Sequence, residues 1–303
     1  MNKFFVGALV ACMALLSGCE QDMPCDGEVR SDHIQAEFER VSRAMAGHTD
    51  ARTEACLGRL AFREGDFDEA AAHERQALAL ARTDRDRAIG QQRLASSLKY
   101  LNRSSEAIDL LQHAIRTDAA LGDRAAQATA SATLASIYSD TGDHQQAIQM
   151  SLASIAGLPS RSSVAATYNN VAMDYLRLRQ FVMASKYIDM AIDIDKSSGD
   201  LHQLGIHEIN KGVILNGAAI YRNASAWLQR GIDQSQRSGD EFWMMSGEAA
   251  LGLSLYRQGR SSEAAEAYRQ AASLARHLGR EEQGEAFAKA ARQIALEPSN
   301  MPR

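Results

Sequence analysis

Small residues that follow an apolar one recur along the chain in "CLGRL", "RLASS", "TLASI", "NVAMD", "NKGVI" and "ALGLS", at Gly58, Ala95, Ala135, Ala172, Gly212 and Gly252. They stand 37 or 40 residues apart. Twelve residues beyond each lies a second small residue: Ala70, Ala107, Ala147, Ala184, Ala224 and Ala264. Nineteen beyond lies a third: Ala77, Ala114, Ser154, Ala191, Gly231 and Ala271. A small side chain lets two helices approach closely, so it must recur wherever their crossing recurs. Polar stretches such as "REGDFDEA" and "RQGRSSEA" separate the first and second small positions. Each unit therefore reads as helix, short turn, helix. Gly65, Gly142 and Gly259 suit left-handed helix ends. Asp66, Asp143 and the pairs Ser104-Ser105 and Ser261-Ser262 suit the next helix start, with Glu106 and Glu263 favouring its positive end.

A stacked unit leaves one apolar face open, so the array needs caps. Ile34, Phe38, Val41 and Met45 recur at helical spacing and predict an N-terminal capping helix within 31–50. "EEQGEAFAKAARQIAL" predicts the other cap, within 281–303. Six pairs and two caps make fourteen helices and no sheet. The expected fold class is all-α.

The six units, over residues 51–280, resemble the tetratricopeptide repeat, and their length resembles the long-unit subgroup of kinesin light chains and of bacterial regulators that read peptides. The resemblance implies a right-handed α-solenoid whose first helices line a concave groove. Two departures stand out. Only Pro159 fills the place of the family's usual proline, and Lys211 stands where the other units carry Leu57, Leu94, Leu134, Val171 and Leu251, which predicts an irregular fifth unit.

Offsets from the first small residue give the expected groove. One residue on lie Arg59, Ser96, Ser136, Met173, Val213 and Leu253. Four and five on lie Lys99 and Tyr100, Leu176 and Arg177, Asn216 and Gly217, and Tyr256 and Arg257. Arg63, Lys99, Arg177 and Arg257 are expected on one edge, opposed by Asp140, so the groove reads as basic and its partner as an acidic protein segment. The alternative is that these cations serve the helix ends. Two residues before the small position, the resemblance implies an asparagine that bonds the backbone of an extended peptide. Asn170 and Asn210 match, while Cys56, Arg93, Thr133 and Ala250 do not. An asparagine bonded to its own neighbours is the alternative.

The N-terminus has a different pattern. Lys3 precedes an apolar run from Phe4 to Leu16, too short to span a bilayer as a mature helix. The run ends Leu16-Ser17-Gly18-Cys19, which resembles the lipobox of bacterial lipoprotein signal peptides. That implies a signal peptide over 1–18, lipid on Cys19 and a tether over 19–30. Glu20, rather than aspartate, points to the outer membrane facing the periplasm. Of four cysteines, Cys25 and Cys56 then remain, either as a disulfide or as two free thiols.

Alanine abundance and 6% aromatics agree with a helical chain. The formal charge of −5 lacks the basic surface that nucleic acid wants. No phosphate loop, nucleophile elbow or metalloprotease helix is present. His202 and His207 lack metal-ligand companions at fitting spacing. No enzyme, metal, cofactor or small-molecule substrate is expected. The sequence reads as a membrane-anchored periplasmic adaptor that holds a protein or peptide segment. An immunity protein against a periplasmic toxin and a pilotin-like assembly factor are the alternatives.

Overall fold

The computed structural model describes residues 50–296 and, ahead of them, Ile34, Ala36, Phe38 and Glu39, which are helical. The chain divides into two compact units, Met1–Pro159 and Ser160–Arg303. The first contains α1 (Ala51–Glu64), α2 (Phe67–Leu80), α3 (Asp84–Tyr100), α4 (Ser104–Leu121), α5 (Arg124–Asp140) and α6 (His144–Ser154), closed by a 3₁₀ turn at Ile155–Gly157. The second contains α7 (Arg161–Arg177), α8 (Phe181–Ser198), α9 (Leu201–Gly217), α10 (Tyr221–Ser238), α11 (Glu241–Arg257), α12 (Ser261–His277) and α13 (Glu281–Leu296). Among the described residues there are thirteen α-helices and no strand. Twelve form the six expected pairs, and α13 packs on α12 as a closing helix. The rest of the expected N-terminal capping helix lies outside the described residues.

The small positions explain the packing. All eighteen are buried. The first small residue of a unit faces the side chain four residues after the second. A Cβ on Gly58 would lie 2.9 Å from Glu74 Oε1, one on Gly212 2.4 Å from Leu228 Cγ, and one on Gly252 2.8 Å from a ring carbon of Tyr268. In each unit the first helices of neighbouring pairs also touch: α3 meets α5, α7 meets α9, and α9 meets α11. They form one layer, with the second helices behind it.

The helix ends follow the local sequence. Gly65, Gly142 and Gly259 have φ of 84°, 88° and 77°, the left-handed caps their positions suggested. Asp66 accepts from the Glu69 amide at 3.0 Å and Asp143 from that of Gln146 at 3.3 Å. The serine pairs start α4 and α12 but do not cap them. Arg103 and Arg260 stand at the cap positions, and each clamps the glutamate three residues on, Glu106 and Glu263.

The fifth pair is regular despite Lys211. Its buried Nζ donates to Asp189 Oδ2 on α8 at 2.8 Å. Asp189 is half exposed, so the pair reaches solvent at one end only. Replacing a buried ion pair by an apolar side chain is often neutral or stabilising, whereas removing one partner is costly. Lys211→Leu is therefore expected to leave stability unchanged or raise it. Asp189→Ala, which strands the ammonium, should lower it by about 2–4 kcal/mol. Urea unfolding of both variants checks this, and a Lys211→Leu variant as damaged as Asp189→Ala would overturn it.

Candidate functional site

On each first helix, the residues two before, one after and five after the small position fall on one strip that points away from the paired helix. In the first unit this strip is polar and its charges are committed. Lys99 Nζ donates to Ser136 Oγ at 2.5 Å and pairs with Asp140 Oδ2 at 3.0 Å. The single acid expected to oppose the basic edge thus neutralises one of its members. Tyr100 stacks on Phe67, with ring centroids 4.4 Å apart and planes 9° apart, and meets Phe62 edge-on. Arg59 and Arg93 act electrostatically on Glu74, whose carboxyl is buried against Gly58. Burial pushes that carboxyl up to about 8 even so. Arg63 is half-buried in the last turn of α1.

The strip of the second unit differs. It comprises Asn170, Met173 and Arg177 on α7, Asn210, Val213 and Gly217 on α9, and Ala250, Leu253 and Arg257 on α11. Arg177 and Arg257 are exposed, and among the described residues no carboxylate lies within ion-pairing distance of either. Leu253 is 38% exposed, and Met173 and Val213 are half-buried.

The two matched asparagines play unequal parts. Asn210 is buried, and its amide donates to Asn169 Oδ1 at 2.8 Å. Asn169 in turn donates to Asn170 Oδ1 at 3.4 Å. Asn170 is exposed. Asn210 is therefore committed inside the fold. Asn216 is also spent inside the fold, donating to the Ala250 carbonyl at 3.0 Å. Tyr256 is half-buried against the core around α11 and α12.

Sequence reasoning missed a set of buried polar pairs. His207 Nδ1 donates to Asp195 Oδ2 at 2.5 Å, both groups being almost fully buried. Glu208 accepts from Arg230. Glu54 pairs with His73 at 2.7 Å. A signal existed for the glutamates, because Glu54, Glu208 and Glu248 all stand four residues before their small position. Cys56 is fully buried and disulfide-bonded. Cys25, its expected partner, and Cys19 lie outside the described residues. Among the described residues no three metal-ligating side chains stand together, and no helix is long and apolar enough to cross a membrane.

The fold is an all-α helical-repeat solenoid. A tetratricopeptide repeat family model matches residues 249–278, which hold the end of α11 and all of α12. No curated protein matches the sequence. Among solved structures, a Rap protein complexed with Competence and Sporulation Factor is similar at a TM-score of 0.61 and 15% identity, over 87% of this chain and 80% of that one. The apo form of the quorum sensor NprR from B. thuringiensis is similar at 0.60 and 13%, over 88% and 82%. A signal transduction ATPase with numerous domains from Pyrococcus horikoshii, which carries a tetratricopeptide repeat sensor, is similar at 0.64 and 14%, over 86% of this chain and 44% of that one. At such identities the likeness is one of fold.

Proposed function

We propose that this protein is a lipid-anchored, periplasm-facing adaptor that holds a protein segment on the first-helix strip of its second unit. The observation that carries the reading is the exposed strip itself. Two arginines stand there with no acid at ion-pairing distance among the described residues, beside an exposed asparagine oriented by a chain of two others. Both arginines stand in the last turns of their helices, where a partner's carboxylates and backbone would complete the arrangement. In the first unit the strip's Asp140 is already paired with Lys99, so that strip is the weaker candidate. The similar Rap protein was solved with a bound factor, which agrees with a binding role for this architecture.

The location rests on "LSGC" and on the disulfide at Cys56, since disulfides persist in oxidising compartments. Two or three acyl chains on one residue anchor a protein where a single chain does not. Cys19→Ser is therefore expected to yield a folded protein that leaves the membrane fraction and lacks the acyl mass. Unchanged fractionation and mass would end the lipoprotein reading.

Photo-crosslinking in intact cells tests the binding face. A crosslinker at Leu253 should give a discrete adduct, and one at Gln229, exposed on the second-helix side, should not. Adducts from Gln229 alone would move the binding surface to the second helices.

A further inference from the structure

We propose that the strip of the second unit takes a segment in the left-handed polyproline conformation, with an apolar residue at every third position and acidic residues six apart. The inference rests on the adaptor reading and specifies its ligand.

The three helices carry equivalent residues at the centre of the strip. Met173, Val213 and Leu253 follow one another at intervals of 40 residues, one per helix, and form an apolar row across α7, α9 and α11. Touching helices stand about 8–10 Å apart. A ligand lying across them must therefore present an apolar side chain on one face about every 9 Å. A polyproline segment has three residues per turn and a rise of about 3.1 Å, so every third residue returns to the same face after about 9.3 Å. A β-strand returns to one face about every 6.7 Å, which falls out of step by the second helix. A helical ligand with a seven-residue repeat advances about 10.5 Å, which is near the spacing. Its backbone amides and carbonyls, however, bond one another.

The flanks of the row favour a backbone that is open. Asn170 Oδ1 accepts from Asn169, which leaves the Nδ2 group to donate outward. A polyproline backbone has no internal hydrogen bonds, so its carbonyls are free to accept from it. Asn210 is the positioning residue, acting through Asn169. On the opposite flank, Arg177 and Arg257 stand two helices apart with Gly217 between them, so the middle helix offers no side chain there. Two such steps are about 18–19 Å, the reach of six residues in the same conformation. Charge complementarity places acids at that interval.

The test uses the full lipidated chain in detergent and fluorescein-labelled synthetic peptides, read by fluorescence anisotropy. The first peptide, about ten residues long, carries leucine at every third position, two glutamates six residues apart, and proline elsewhere. Its competitors are an isomer with leucines at alternate positions, a version with lysine for glutamate, and a heptad-patterned helical peptide. The first peptide should bind at least about tenfold more tightly than each of the others. Leu253→Asp, an exposed site whose fold is checked by circular dichroism, and Arg257→Glu should each weaken it about tenfold or more. Asn210→Ala should weaken it without a change in salt dependence, whereas Arg257→Glu should reduce that dependence. No binding, equal binding of the alternating isomer, tighter binding of the heptad peptide, or indifference to Leu253→Asp each overturns the inference. The crosslink at Leu253 separates the two readings. An adduct there with no preference for the three-residue period leaves the adaptor standing and removes the polyproline ligand.

Discussion

Gly231→Val is expected to unfold the second unit or to cost it about 3 kcal/mol or more. Gly231 lies where α10 crosses α9, and a Cβ on it would come within 2.7 Å of the Ile209 amide nitrogen and 2.8 Å of the Gly205 carbonyl oxygen. Backbone atoms cannot rotate away as a side chain can, so the two helices must separate. Gly205 meets α10 from the other side, with Ser235 N 3.2 Å from its own Cβ position. Separation would also pull apart the Glu208–Arg230 pair, which spans the same two helices. Overpacking costs typically about 1–3 kcal/mol, and more where the obstacle is fixed. Gly90 supplies the control. The three atoms nearest its Cβ position all belong to Leu78, at 3.4–3.6 Å, an ordinary contact. Gly90→Ala should therefore stabilise the first unit by up to about 1 kcal/mol through helix propensity. Urea unfolding of both variants decides the matter, and a neutral Gly231→Val would mean that the crossing is looser than these distances indicate.

Stability is expected to fall as pH rises from about 5 to 8, and Glu248→Gln to remove part of that fall. Burial pushes the Glu248 carboxyl up to about 7, with Glu266 and Asp233 adding to the rise. Burial likewise raises Glu74 to about 8, against the pull of Arg93 and Arg59. In the unfolded chain both groups ionise near 4.5. Between that value and the folded ones, the unfolded state holds fewer protons, so raising the pH favours unfolding. The stabilising effect is complete below about 4.5 and is lost as pH climbs through about 7 and 8. A tenfold change in proton affinity between the two states is worth about 1.4 kcal/mol. Glu248→Gln, which keeps the shape and cannot ionise, should then gain about 1–3 kcal/mol at pH 8 and little at pH 4.5. Thermal unfolding at several pH values checks this. The carboxylates clamped by surface arginines, such as Glu106 and Glu263, are lowered and titrate below this window, so they do not mask it. An unchanged pH slope in Glu248→Gln would refute the assignment.

Much of the site was legible, and the part that was not has a common cause. The strip positions follow from the repeat register, so Asn170, Met173, Arg177, Val213, Leu253 and Arg257 could be placed from spacing alone. Which of them are available could not. Lys99 and Asp140 sit on different repeats and read as two separate charges until α3 and α5 are side by side. Asn210 reads as a ligand-contacting amide until Asn169, 41 residues earlier, is seen to accept from it. Partner choice between side chains depends on distances of a few tenths of an ångström, which periodicity does not carry.

The helix pairs, their number and their register follow from the chain's own pattern, which also sets its turns. A close helix crossing tolerates only small residues, and that requirement is written at eighteen positions whose spacing survives any choice of partner. Gly65, Gly142 and Gly259 are needed where the backbone turns left-handed. That Lys211 can replace a leucine depends on packing, since Asp189 comes from another helix. Packing likewise holds four carboxylates, those of Glu74, Asp118, Glu208 and Glu248, out of water, which raises their affinity for protons. Local pattern fixes what each helix can do with its own turns. Burial and electrostatics are sums over neighbours from several helices, and they exist only once those helices are packed.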